Sequence, residues 1–545
     1  MDAFDKVKNY DIEEVSIKLL LPFKFSDTLT DISSRIEQLT LAKLAQSRLP
    51  LLTIDSSSFV GNSGLWEKAQ FDDSSLSSDL YPHVARILTT KDMDVELSKS
   101  YQLSMGAADI LNQYHNSDET SLGLALRLSA DALKRFDDSA EPISVIPWRL
   151  GNQSIRLNLY NLGIGVFEVD AVPCRNFIKR HGFNGLQEFI NGITRVKYKS
   201  SDSRLGAMIY RSQVEGEPDN SFELFNLIGA CIGLSSEGSV SSDFESYMGA
   251  FEPLSLNRYF SYTALRLHNS IELSDNQRIS EADAIGLVKC LAHRQTKDHR
   301  ATRLVDNSEN AFTPFQNITY YTCIEGGAVV LTSDSAEEDV TFVSSFISSK
   351  LKTAYWPMTL IAYIEFIYLF KLNGDINPSI RFDEGNKDTI EILKTYRQQI
   401  LQFRLQYRFA QASHLQLHNT YYNNWRLTFE SEKLMDELVE DLTQVNSYLS
   451  SAMEAIEVDI EKRHNKNIGT LGIFATGMLS LLSLWGTNFT YFQNIEAKDA
   501  IIANTTVGGV VLTIVAMLIY RHLDKVCYWF KKIFFGIIAK LRVRE

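Results

Sequence analysis

The chain has 545 residues, with 54 lysines and arginines against 67 aspartates and glutamates, for a formal charge of −13. Apolar residues make up 45% and charged residues 22%, which excludes wholesale disorder, and the length allows roughly two to four domains. A body this acidic lacks the cationic footprint that phosphates require, so no direct nucleic-acid partner is expected.

The opening MDAFDKVKNYD has alternating charges and no apolar core, so no cleaved signal peptide is expected. Five cysteines (Cys174, Cys231, Cys290, Cys323 and Cys527) lie far apart without a CxxC pair, which excludes a zinc ribbon and fits a reducing compartment. Residues 1–380 mix strand and helix signals and read as an α/β sensory domain, with a lobe break near 140–150. Residues 55–80 and 199–220, rich in Ser, Asp and Gly, read as loops. SIRLNLYNLGIGVFEVDAVP (154–173) alternates about a turn at Asn161–Gly163, the pattern of a hairpin. Residues 177–196 read as an amphipathic helix interrupted near Gly182, and GGAVVLTSDS (326–335) as another strand.

No phosphate loop, nucleophile elbow or metalloprotease helix occurs, so no enzymatic activity is expected. Gly163 and Gly165 form a lone GxG that reads as a turn, and Gly229 and Gly233 read as close packing. The apolar run at 353–370 contains Pro357 and Glu365 and reads as a helix buried in the domain, because a mid-bilayer charge is costly.

From Asn386 to Ile468 neither glycine nor proline occurs, which predicts long helices over 386–467. The first half, Ile390 to about Phe429, reads as a helix packed antiparallel on the second. His414 and His418 sit four apart and read as a packing pair rather than metal ligands, since no acidic third ligand is near. Leu434, Leu438, Leu442, Val445, Leu449, Met453, Ile456 and Ile460 mark an apolar seam that reads as a heptad for self-association.

Asn467 to Ile495 carries no formal charge, nor does Ala500 to Tyr520. Each is long enough to span a bilayer, and a buried helical hairpin is the alternative. Lys462, Arg463 and Lys466 before the first stretch, with Arg521 and Lys525 after the second, predict that both termini are cytosolic in a multi-pass inner-membrane protein. Residues 468–520 would then form a two-helix transmembrane domain, and 521–545 a basic amphipathic tail on the lipid surface. At the end of the first stretch, Gly486, Thr487 and Asn488 stand where a helix would leave the bilayer. A ring of Asn488 side chains would present neutral oxygens to a hydrated cation, and Glu496 and Asp499 would concentrate cations at the mouth.

A long helix entering a span that ends in GTN, followed by a short acidic loop and a second span with a basic exit, resembles the CorA family of two-span divalent-cation channels. The resemblance covers about residues 386–525. It implies a homo-pentamer around one pore, Gly486–Asn488 at the family's Gly-Met-Asn signature, Thr476 and Leu479 facing the pore, and Mg2+ as a permeant or regulatory ion. Thr487 departs from the signature's methionine, and the region before the long helices is larger than a transporter needs. In that respect the chain is similar to the CorA-like membrane effectors of type III CRISPR systems. This implies an antiviral channel gated by a small nucleotide second messenger, S-adenosylmethionine joined to AMP. A housekeeping magnesium transporter and a membrane-tethered scaffold or enzyme without a pore are the alternatives.

Overall fold

The computed structural model describes residues 3–25, 28–40, 64–69, 76, 78–89, 96–112, 123–127, 145–194, 208–211, 220–222, 252–253, 259–269, 274, 277–295, 310–315, 317–333, 340–379 and 387–491. Its strands in chain order are β1 (Asp11–Lys24), β2 (Trp66–Lys68), β3 (Ser98–Leu103), β4 (Gly123–Arg127), β5 (Val145–Tyr160), β6 (Ile164–Pro173) and β7 (Met208–Arg211). They continue with β8 (Asn220–Phe222), β9 (Glu252–Pro253), β10 (Phe260–His268), β11 (Ala311–Phe315), β12 (Ile318–Cys323) and β13 (Gly326–Ser333). The helices are α1 (Ala3–Val7), α2 (Leu29–Glu37), α3 (Pro82–Ala85), α4 (Met105–Asn112), α5 (Arg175–Ile193) and α6 (Glu281–Ala292). After them come α7 (Val340–Phe346), α8 (Trp356–Ser379), α9 (Lys387–Gln406), α10 (Gln416–Thr428) and α11 (Ser431–Tyr491).

One mixed sheet organises the first unit of the chain, Met1–Arg381 with Asn386–Asn446. Its order is β11-β12-β13-β10-β1-β6-β5-β4-β7-β8. β3 joins at β5 and carries β2, and β9 pairs with β1. The β10–β13 pair is parallel, while β1 pairs antiparallel with both β10 and β6. The hairpin expected around Asn161–Gly163 is β5–β6, and Gly163 takes a φ of 66° that a side chain would strain.

Side chains alternate across a strand, so each face of the sheet collects every second residue. One face gathers Ile17, Leu19, Phe167, Val169, Leu157 and Leu265 into the apolar core, joined by α5 and α6 through Phe189, Ile190, Leu287 and Leu291. Helix α5 is interrupted as its sequence suggests: Gly182 leaves helical geometry at φ 56°. The start of α6 is closed by a capping box between Ser280 and Asp283. The opposite face is aromatic and polar, and α8 and α10 pack there. Tyr262 lies 5.6 Å from the Trp356 ring and 6.3 Å from Trp425.

Helix α8 is buried rather than membrane-spanning, and Glu365 within it is ion-paired to Arg408 and Arg426. Ahead of it, Leu351–Tyr355 form one π-helical turn in which the Trp356 N–H bonds the Leu351 carbonyl. Pro357 follows directly, and a proline's missing N–H and bulky ring disfavour the regular i to i−4 ladder at this point.

Helices α9 and α10 replace the single helix expected over 390–429. The Asn419 amide interrupts it: its oxygen accepts the Ala412 and Ser413 N–H groups at 3.0 Å each, and its nitrogen donates to the Ser413 carbonyl at 2.6 Å. Side-chain bonds of this kind offer the backbone an alternative to helix.

The expectation of two C-terminal transmembrane helices following an α/β domain is corrected. Among the described residues no helix is long and apolar enough to cross a membrane. Beyond Lys466, three glycines and two threonines (Gly469, Thr470, Gly472, Thr476 and Gly477) dilute the apolar residues of α11. The second stretch, Ala500–Tyr520, and the tail 521–545 lie outside the described residues. The membrane-protein and ion-channel readings, and the inner-membrane placement, are corrected on the same finding, that no described helix qualifies as a span.

Candidate functional site

Two features stand out from ordinary packing. The first is a patch of buried charge on the aromatic face of the sheet. Register places Arg156 of β5 opposite Glu168 of β6, and Lys18 of β1 opposite Asp170 one step along. Lys18 Nζ donates to Glu168 Oε1 and lies 4.9 Å from the centre of the Trp356 ring. All four charged residues are buried, two of each sign, so the patch is electrically balanced. Burial pushes the Glu168 carboxyl up, but the Lys18 and Arg156 charges outweigh it and hold the group below the usual carboxylate range. Beside it, Ser100 donates to the Asn158 oxygen at 2.8 Å. Among the described residues, the buried Asn158 amide nitrogen and Tyr160 hydroxyl find no hydrogen-bond partner. Burial, then the Glu168 charge, raise the Tyr160 phenol well above its ordinary value. A buried orphan donor costs about 1–3 kcal/mol, so this corner suits an ordered water or a polar ligand group.

Sequence reading missed this patch. A charge flanked by apolar residues within a strand, as in IKLL or VFEVD, was the available signal.

The second feature is helix α11. Its first turns belong to the first unit and bury Met435, Leu438 and Leu442. A knot of charge ties its start: Arg426 donates to Glu365 at 3.1 Å, Arg408 lies 3.3 Å from the same carboxylate, and both guanidiniums also reach Glu432. In the second unit, to which residues 447–545 belong, Ile460, Ile468, Leu471 and Leu479 are 54–67% exposed. Leucines and isoleucines exposed at helical spacing leave apolar area in water, which is unfavourable.

The site residues expected from sequence fall as follows. Thr476 is exposed and its hydroxyl donates to the Gly472 carbonyl at 2.7 Å, while Leu479 is exposed on α11. Gly486, Thr487 and Asn488 are helical, and α11 continues to Tyr491, so the helix does not exit at Gly486. Glu496 and Asp499 lie outside the described residues. His414 precedes α10 instead of sharing a helical face with His418. It lies against the Tyr81 ring at 6.4 Å, and His418 is buried 3.4 Å from Ser413 Oγ. No metal-holding group of three or more His, Cys, Asp or Glu side chains occurs among the described residues. Burial pushes the Cys323 thiol up to about 12, unsuited to nucleophilic attack.

Searches against protein-family models, curated proteins and solved structures return no match for this chain.

Proposed function

We propose that the chain is a self-assembling sensor: copies gather through α11, and the sheet unit takes a small polar ligand that changes how the gathered copies pack. The observation that carries the reading is the row of exposed apolar residues on α11, Ile460, Ile468, Leu471 and Leu479, in a helix whose earlier turns bury the same kind of side chain. The ligand arm is supported by the orphaned Asn158 and Tyr160 groups beside balanced buried charge. A nucleotide is the ligand class implied by the sequence resemblance. A ligand shifts an assembly only by binding one packing better than another. No pore and no lipid-embedded step belong to this reading.

Sedimentation equilibrium of the full chain tests the assembly. The native chain is expected to be oligomeric at micromolar concentration, and Ile460→Glu with Leu471→Glu to weaken association at least about 100-fold, because a charge in an apolar contact is left unpaired. A monomeric native chain, or a double variant of unchanged mass, overturns the assembly. Calorimetric titration with adenine nucleotides, repeated on Tyr160→Phe, tests the ligand arm. No heat of binding, or binding without any change in sedimentation, overturns that arm alone.

A further inference from the structure

Three parts of the first unit meet at a joint around His418. The loop between α9 and α10 carries Ala412 and Ser413, and the segment before α3 carries Asp79 and Tyr81. The Tyr81 N–H donates to the Ala412 carbonyl at 3.0 Å, and Ser413 Oγ donates to the Asp79 carbonyl. The third part is the π-helical turn at Leu351–Tyr355. Lys350, directly before it, holds the buried Asp79 carboxylate at 3.2 Å. Such turns are rare in helices and concentrate at functional sites. His418 lies where the three meet: it is buried, its Nδ1 is 3.4 Å from Ser413 Oγ, and its ring meets Tyr355 edge-on at 5.2 Å. Two exposed histidines border the same joint. His83 stacks on Tyr81 at 5.5 Å and lies 5.3 Å from Phe409, and His414 is 6.4 Å from Tyr81.

We propose that His418 is an acid-sensitive latch: while neutral it holds the segment 79–81 against the α9–α10 loop and the π-helical turn, and on gaining a proton it releases that segment. The latch is a regulation of the sheet unit and does not rest on the proposed assembly. Imidazole is the side chain whose ordinary titration falls between pH 5 and 8. The groups that face it are Asp79 from the segment, Lys350 and the Tyr355 phenol from the π-helical turn, and His414 from the loop. An imidazolium here would compete with Lys350 for the one carboxylate. It would also stand third in α10, at the helix end whose free N–H groups oppose a cation. Burial lowers the imidazole below its ordinary value of 6.5; the Asp79 charge and carbonyl oppose that shift, while Lys350 and His414 add to it. The released form therefore binds the proton more tightly. The latch is whole above pH 6.5 and weakens as pH falls toward the lower folded value.

Residue-resolved hydrogen exchange of the full chain tests the latch. It reads the amides of Tyr81, Ala412 and Ser413, each of which donates within the joint. After correction for the intrinsic rate, their protection is expected to fall at least about tenfold between about pH 7.5 and about pH 5.5, while the amides of β12 and β13 keep theirs. In His418→Asn an amide nitrogen takes the place of Nδ1 without titrating, and protection at the joint is expected to stay level. No fall in the native chain, an equal fall in β12 and β13, or the same fall in His418→Asn overturns the latch. So does a fall that disappears in His83→Gln or His414→Gln but persists in His418→Asn. Should His418→Asn not fold, the imidazole titration of the native chain by NMR decides. A midpoint below 6.5 that tracks the loss of protection at Tyr81 is expected. A midpoint at or above 6.5, or one that does not track that loss, overturns the proposal.

Discussion

Replacing Lys18 by methionine keeps the length of the side chain and removes one charge from a balanced set of four. The ammonium is 3% exposed and its partner carboxylate 1%, so neither gains much from solvent. After the substitution Glu168 keeps Arg156 as a neighbour, but the patch carries one net negative charge among buried strands. Breaking a buried pair from one side costs about 3–5 kcal/mol, a large share of a typical 5–15 kcal/mol stability. Removing both members by Lys18→Met with Glu168→Leu restores the balance and is expected to cost at least about 2 kcal/mol less than Lys18→Met alone. Urea unfolding followed by the fluorescence of the buried Trp148, Trp356 and Trp425 measures each variant. The sign of the pH effect is fixed by Glu168, whose carboxyl is held below its ordinary value in the folded chain. Its contribution is complete above the unfolded-state value of 4.5 and is lost as pH falls through the lower folded value. In the Lys18→Met variant, protonation relieves the unpaired charge, so the gap to the native chain narrows as pH falls toward 4.5. A single-variant loss below about 1 kcal/mol, or a double variant as costly as the sum of the singles, would refute the argument from buried charge.

Two further outcomes test the packing. Gly326→Ala would set a Cβ 2.1 Å from the Ser261 carbonyl oxygen, forcing β10 and β13 apart. A loss of about 1–3 kcal/mol in the same urea assay is expected, and a neutral result contradicts the parallel pairing. Glu430, the joint between α10 and α11, has a φ of 49° that a side chain disfavours, so Glu430→Gly is expected to raise stability by about 0.5–1 kcal/mol. A lowered urea midpoint would show that the joint is held by its side chain rather than strained by its backbone.

Part of the candidate site is legible in the sequence and part is not. The apolar seam of α11 is a property of neighbours along one helix, so its spacing can be counted from the residue order alone. The patch at Lys18, Arg156 and Glu168 cannot be found in this way. Lys18 and Glu168 are 150 positions apart, and a lysine or glutamate in a strand ordinarily marks a solvent-facing side. Only the helices packed on that face, with Trp356 over the ammonium, turn an outward charge into a buried one.

What the amino-acid order determined alone was local: the β5–β6 turn at Gly163, the break in α5 at Gly182, the burial of a helix carrying Pro357 and Glu365, and the apolar rhythm of α11. These follow from backbone sterics and from side chains a few positions apart. Tertiary structure decided the strand order that sets β1 between β10 and β6, and the anchoring of the loop between α9 and α10, where Ser413 donates to the distant Asp79 carbonyl. The physical reason is competition. Periodicity says which residues seek burial or a bond, but the winning partner depends on groups that folding brings together from distant parts of the chain.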